Sequence, residues 1–354
     1  MARIDLEGVS HSYGRVEALE QFDLTWEDGG RYAILGPSGC GKTTMLNIMS
    51  GIIKPTRGRI MFDGVDITDK KTADRNIAQV FQFPVIYGTM RVYDNLAFPL
   101  VCRNSPKAEI AARVEEVADT LNLTEMLDKP ASRLTADQKQ LISLGRGLVR
   151  NDVAAVLMDE PLTVIDPDLK FRLRRKLKEI NEKYKTTLIY VTHDQNEAMT
   201  FAQKIMVMDK GKIVQIGAPT ELFERPKTTF VGYFIGAPAI NLFSAEQVGR
   251  KSLKVNGIPV ELDTDLGETT GRRIQLGIRA ENADVHSKPA KDAISLPLAV
   301  ERVEDYGNYK LVIGTAAGQK AVVKVKRHEK IETGEAFMTF DPAKCCVYGD
   351  GQIV

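Results

Sequence analysis

The chain has few cysteines, no excess of either charge and no long hydrophobic run, and each shortage removes a class of protein. Its four cysteines, Cys40, Cys102, Cys345 and Cys346, have neither metal-ligand spacing nor the look of a disulfide framework. Adjacent Cys345 and Cys346 are poorly placed to bridge each other, and a reducing cytosol is the expected compartment. The 48 basic and 47 acidic residues cancel, so no broad positive surface is expected and no nucleic-acid partner is anticipated. Nowhere do about 18 apolar residues run together, and "MARIDLEGVS" does not read as an apolar signal segment. The expectation is that nothing here spans a membrane and that any membrane role passes through a partner. With 43% hydrophobic and 27% charged residues there is no compositional case for disorder either, and 354 residues suffice for two domains.

What is present alternates apolar strand-like runs with amphipathic helices over the first two-thirds, the pattern of an α/β domain with a mainly parallel sheet. "RYAILG", "AAVLMDE", "TLIYVTH" and "KIMVMD" are the candidate buried strands. A helical insertion is expected over about residues 86–152. Within it Ile110, Val114, Val117 and Leu121 share one helix face, with Ser105 as N-cap and Pro106 at the first helical position. A further helix runs through "DLKFRLRRKLKEINEKY", with Leu169, Leu173, Leu177 and Ile180 inward and the six Lys and Arg residues between 170 and 178 on a solvated face rather than a nucleic-acid contact. After about residue 235 the texture changes to short β-rich runs, with Asn256-Gly257 as a hairpin signal. Residues 1–235 and 236–354 are thus expected to be an α/β domain and a separate all-β domain of small barrels.

"GPSGCGKTT", residues 36–44, matches the phosphate-binding pattern G-x-x-x-x-G-K-[ST]. Gly36, Pro37, Ser38, Gly39, Cys40 and Gly41 form a loop whose backbone N–H groups curl around phosphates, ahead of a helix that points its positive end at the same anion. Lys42 is placed to reach the β- and γ-phosphates, and Thr43, beside Thr44, to hold Mg²⁺. A chance glycine-rich turn is the bland alternative, and the apolar strand before it and helix-compatible stretch after it argue against that. Asp159, ending an apolar strand, is suited to the Mg²⁺ shell through water, and Glu160 to orienting or deprotonating the attacking water. His193 follows another buried strand and so falls at the same sheet edge. Taken alone, His193 and Gln82 also fit ordinary surface positions, and Tyr13 fits either base stacking or hairpin packing.

The order of these motifs resembles the ATP-binding subunit of ABC transporters. More narrowly, "VFQFPVIYGTMRVYDNLAFPL", "IGAPAINLF" and "LGIRAEN" resemble the maltose-type carbohydrate and polyol importers, including glycerol-type systems. The resemblance implies a P-loop NTPase core with an inserted helical subdomain, then oligonucleotide-binding-fold-like barrels. It implies ATP and Mg²⁺ as cofactors, with Thr43, Gln82 and Asp159 around the metal, Gln82 linking nucleotide state to the permease, and His193 sensing the γ-phosphate. Asp166 would lie in the loop between two sites, and Phe83 to Pro99 would border a groove for a permease helix. It further implies a head-to-tail ATPase dimer, two transmembrane permease subunits, an extracytoplasmic substrate-binding protein and a peripheral place on the cytoplasmic face of the membrane.

One motif departs from the family. Where the signature reads LSGGQ, this chain has Leu134, Thr135, Ala136, Asp137 and Gln138, the segment implied to face the partner's ATP. A carboxylate about 4 Å from a phosphate charge costs on the order of 4 kcal/mol at an effective dielectric of about 20, more than a neutral hydrogen bond of roughly 1 kcal/mol offsets; the bland alternatives are that Asp137 turns away as a helix-starting acid or is protonated. Leu141 also stands where the family usually has arginine, while "LTVID" keeps Asp166. The expectation is a heterodimer with a different ATPase subunit, a homodimer being the competing arrangement. A soluble ABC-type ATPase acting on nucleic acid or ribosomes is disfavoured by the single P-loop and the lack of extended heptads. A regulatory subunit with little hydrolysis is disfavoured by Glu160 and His193.

Overall fold

Strands apolar at nearly every position are stable only when both faces are covered, which places "RYAIL", "AVLMD", "TLIYVT" and "KIMVMD" at the centre of a layered domain. In the computed structural model, which describes residues 2–150, 152–267, 269, 271–290 and 293–354, they form Arg31–Leu35, Ala155–Asp159, Thr187–Thr192 and Lys204–Asp209. The six-stranded sheet runs in the order Lys212–Gly217, Lys204–Asp209, Arg31–Leu35, Thr187–Thr192, Ala155–Asp159, Ile77–Val80, and only its first strand is antiparallel to its neighbour. Leu35 lies opposite Thr192 and Asp159 opposite Val191. The chain therefore leaves three adjacent strands at one edge, where ligands of α/β sheets bind. A second, antiparallel sheet orders Val16–Trp26, Ile4–Tyr13, Arg57–Phe62 and Val65–Asp66. Its inward residues, among them Ile4, Leu6 and Trp26, share one core with Met45 and Leu46 of the helix Lys42–Ser50 and with Ile34 and Val191.

Residues 86–152 hold the helices Val92–Val101, Lys107–Thr120 and Ala136–Leu148. Ile110, Val114, Val117 and Leu121 are buried, as their spacing requires. The cap is corrected by one residue: Pro106, not Ser105, precedes the helix, because its ψ of 140° keeps it extended. Gly145 lets these helices approach closely, since a Cβ there would lie 2.5 Å from Leu96 Cδ2. In the helix Pro167–Tyr184, Leu173 and Leu177 are buried while Leu169 and Ile180 are half-buried at the edges of the stripe.

The contacts divide the chain into Met1–Pro219 and Thr220–Val354, an earlier boundary than the expected residue 235. The short helices Pro219–Glu224 and Thr229–Phe234 explain the difference. Buried Arg279 donates to the carbonyls of Phe223, Gly232 and Ile235, and the Ile353 N–H donates to Lys227 O, so these turns are fastened to the β-rich part. That part contains two antiparallel sheets. One orders Ile258–Glu261, Ser252–Val255, Asn241–Gly249, Ile274–Ile278, Cys346–Gly349 and Gln352–Ile353; the other orders Ala283–His286, Gly334–Phe340, Ile294–Asp305, Tyr309–Ala316 and Gln319–Lys326. Asn256 and Gly257, at φ 49° and 80°, turn the hairpin that pairs Val255 with Ile258. Among the described residues no helix is long and apolar enough to cross a membrane.

Candidate nucleotide site

The loop between the strand Arg31–Leu35 and the helix Lys42–Ser50 owes its shape to its glycines. Gly39 and Gly41 have φ of 78° and 103°, and a Cβ on Gly41 would lie 2.6 Å from the Ala18 carbonyl oxygen. Gly36 passes the neighbouring strand so closely that its Cβ would lie 2.4 Å from Met208 O. The buried Lys42 Nζ donates to Gly36 O and Pro37 O, both at 2.8 Å. Cys40 is buried beneath the loop, where burial pushes its thiol up despite nearby Lys42. With the free N–H groups of the helix start, this arrangement concentrates positive potential at one spot.

A cavity of about 610 Å³ opens there, and Ser38, Gly39, Gly41, Lys42, Thr43 and Thr44 line one side of it. Tyr13, half exposed and edge-on to His11 at 4.5 Å, borders it. Gln82, Glu160 and His193 line it as well. Gln82 arrives because Ile77–Val80 pairs with Ala155–Asp159.

Asp159 ends the strand Ala155–Asp159, buried and outside the cavity lining. Burial pushes its carboxyl up and the Glu160 charge adds to this, while the Thr43 hydroxyl and Lys42 pull the other way. Glu160 is a non-glycine residue at φ 44°, its N–H held by Val191 O at 3.0 Å. Its carboxylate meets His193 Nδ1 at 3.0 Å through Oε1 and Gln82 Nε2 at 3.4 Å through Oε2. Glu160 is 16% exposed and His193 58%, so the pair has a sheltered end and an end open to the cavity. The sequence reading missed Ala18 and Thr163 on this cavity. Thr163 Oγ1 donates to Glu160 O at 3.0 Å and lies 3.4 Å from its Oε2. The available signal was a hydroxyl three residues after Glu160.

The Thr43 hydroxyl, the Asp159 carboxylate and the Gln82 amide supply hard oxygen donors beside the phosphate loop, the chemistry Mg²⁺ prefers. Among the described residues no cluster of three or more His, Cys, Asp or Glu could hold a metal alone, so a cation here would depend on such oxygens and on the ligand's own.

Residues 134–138 and Asp166 do not line this cavity. Thr135 is the N-cap of Ala136–Leu148; its hydroxyl donates to the Asp137 carboxylate and its N–H to Gln138 Oε1 at 3.1 Å. Asp137 therefore occupies the first helical turn and engages the one hydroxyl the degenerate segment retains. Along the same helix, Gln140 Nε2 donates to Phe81 O at 3.1 Å and the Arg146 guanidinium covers the Tyr87 ring at 4.6 Å. Asp166 caps Pro167–Tyr184 by accepting from the Leu169 N–H at 2.9 Å. A second cavity, about 660 Å³, is lined by Met90, Tyr93, Ala97, Phe98 and Ile110 among others.

Comparison with known proteins agrees with this geometry. The ABC transporter family profile matches residues 19–163. The sn-glycerol-3-phosphate import ATP-binding protein UgpC of Yersinia enterocolitica is 36% identical over 356 residues, covering 99% of this chain and 98% of that one. UgpC of Bordetella avium is 35% identical over 336 residues, covering 94% and 91%. Among solved structures, cbiO1 from Clostridium perfringens, part of an ABC transporter complex, aligns with TM-score 0.58 and 28% identity over 63% of this chain and 90% of that one. An ATP-binding cassette of an ABC transporter in its ADP conformation aligns with TM-score 0.56 and 25% identity, over 65% and 98%. Matched along nearly its whole length by such relatives, this chain belongs to the ABC transporter family as one of its ATP-binding subunits.

Proposed function

We propose that this chain hydrolyses ATP to energise an importer for a sugar or polyol, bound peripherally at the cytoplasmic face of the membrane to two permease subunits served by an extracytoplasmic binding protein. The observation that carries this reading is the convergence of the phosphate loop with Lys42 and Thr43, Gln82 and the Glu160–His193 pair on one cavity. Glycerol 3-phosphate, named for the Yersinia and Bordetella relatives, is the narrower substrate proposal. The Met90–Phe98 cavity is the proposed seat of the permease helix.

In this account the loop N–H groups and Lys42 bind the phosphates, and Tyr13 stacks on the base. Mg²⁺ held by Thr43, Gln82 and Asp159 would neutralise phosphate charge. Glu160 accepts the proton of the attacking water at its carboxylate, with Gln82 and Thr163 fixing its direction and His193 donating toward the γ-phosphate. Asp137 repels the partner's nucleotide, so the partner is a different ATPase subunit with an intact signature, and the competent site is the one on this chain's loop.

The test is ATP turnover by the complex purified through a tag on this chain. Glu160→Gln is expected to lower turnover about a hundredfold or more, the contribution of a positioned general base. Unchanged turnover sinks the assignment.

A further inference from the structure

Glu197 is 5% exposed and outside the cavity, and four side chains converge on it. Its Oε2 accepts from the Tyr190 hydroxyl and the Thr192 hydroxyl, each at 2.9 Å. Its Oε1 lies 3.4 Å from Lys170 Nζ and 3.9 Å from Arg174 Nη1. Burying a carboxylate costs several kcal/mol unless it is paired and bonded in this way, so the arrangement calls for an explanation beyond packing.

The partners supply one. Thr192 and Asp194 flank His193; the Asp194 N–H donates to Thr192 Oγ1 at 3.0 Å, and the Asp194 carboxylate caps the helix Gln195–Phe201 through the Asn196 and Glu197 N–H groups. The backbone on both sides of His193 is thereby referred to Glu197. Lys170 and Arg174 belong to Pro167–Tyr184, whose N-cap is Asp166, and the Lys170 N–H donates to Asp166 O at 2.9 Å. One buried carboxylate thus joins the loop of the γ-phosphate histidine to the first turns of the helix that Asp166 begins.

We infer that Glu197 is a positioning residue for ATP hydrolysis, holding His193 against Glu160 through Thr192 and tying that alignment to the helix begun by Asp166. This rests on the proposed ATPase role of Glu160 and His193. A glutamine at 197 keeps the size but turns an amide NH₂ on either the two hydroxyls or the two cations, so one half of the junction opens. Thr192→Val removes the hydroxyl link with little change of shape, and Thr192→Ser retains it.

ATP turnover and the KM for ATP are measured on the assembled complex, each variant also in a His193→Ala background, with Glu160→Gln as the reference. Expected are a fall in kcat of about tenfold or more for Glu197→Gln and Thr192→Val, the scale of a sub-ångström misplacement, with KM nearly unchanged. Thr192→Ser should behave as the parent, and both losses should vanish once His193 is absent. Wild-type kcat in Thr192→Val, equal changes in kcat and KM, or losses that persist undiminished without His193 overturn the inference. If Glu197→Gln fails to assemble, Thr192→Val decides alone. Turnover insensitive to Glu160→Gln removes the underlying reading, whereas Glu160-dependent turnover with an indifferent Thr192→Val removes only this inference.

Discussion

Replacing Asp137 is the perturbation that bears most on the asymmetric arrangement. Asp137 sits in the first turn of Ala136–Leu148, half-buried, with the exposed Thr135 hydroxyl donating to it. Against a phosphate charge about 4 Å away, its repulsion is about 1 kcal/mol if the interface stays as wet as bulk water and about 4 kcal/mol at an effective dielectric of 20, or about fivefold to about a thousandfold in binding. Asp137→Gly also frees the Thr135 hydroxyl, whereas the asparagine Oδ1 of Asp137→Asn can still accept from it. Asp137→Asn isolates the charge, and Asp137→Gly adds an N–H free of a side chain at a cost of under about 1 kcal/mol in the helix. The assay is equilibrium binding of ATP to the complex in a Glu160→Gln background, so that hydrolysis does not deplete the ligand. Two classes of site are expected, and both Asp137 variants should tighten the weaker class while leaving the stronger unchanged. If neither class moves, Asp137 does not face a phosphate, and the case for an unlike partner built on it collapses.

Gly41→Ala should abolish tight nucleotide binding, because its φ of 103° and a Cβ 2.6 Å from Ala18 O add strain on the order of 1–3 kcal/mol and deform the loop; titration with a fluorescent nucleotide reads this directly. Asp159→Asn should raise the melting temperature of the nucleotide-free protein while eliminating hydrolysis. The Asp159 carboxyl is held above the ordinary carboxylate range, so stability declines as pH rises through that range to the raised value and stays lost at neutral pH; asparagine avoids the charge, and thermal melts across pH check it. Native mass of the complex purified through this chain should contain one copy of it and one different ATPase subunit; two copies favour the homodimer.

Much of this was legible in the sequence because it is carried by local pattern. Strands buried on both faces read as uninterrupted apolar runs, and the loop glycines announce left-handed backbone whatever surrounds them. What was not legible depends on tertiary placement. Thr163 gains its contact with the Glu160 carboxylate only because the chain reverses at Glu160 with φ 44°. Glu197 reads as a helix-start acid, and only the adjacency of Thr187–Thr192 and the helix Pro167–Tyr184 gives it four partners. The boundary was set too late because "ELFERPKTTFVGYF" has the helical texture of the first unit, while the buried Arg279 that fastens it lies more than forty residues further on.

The most direct test of the central claim is ATP-driven uptake into proteoliposomes carrying the complex purified through this chain, with labelled glycerol 3-phosphate and a panel of sugars and polyols. ATP-dependent accumulation of a member of this class, lost in Glu160→Gln, is the predicted result. Uptake that proceeds equally well with Glu160→Gln, or ATP turnover with no accumulation of any of them, contradicts the account.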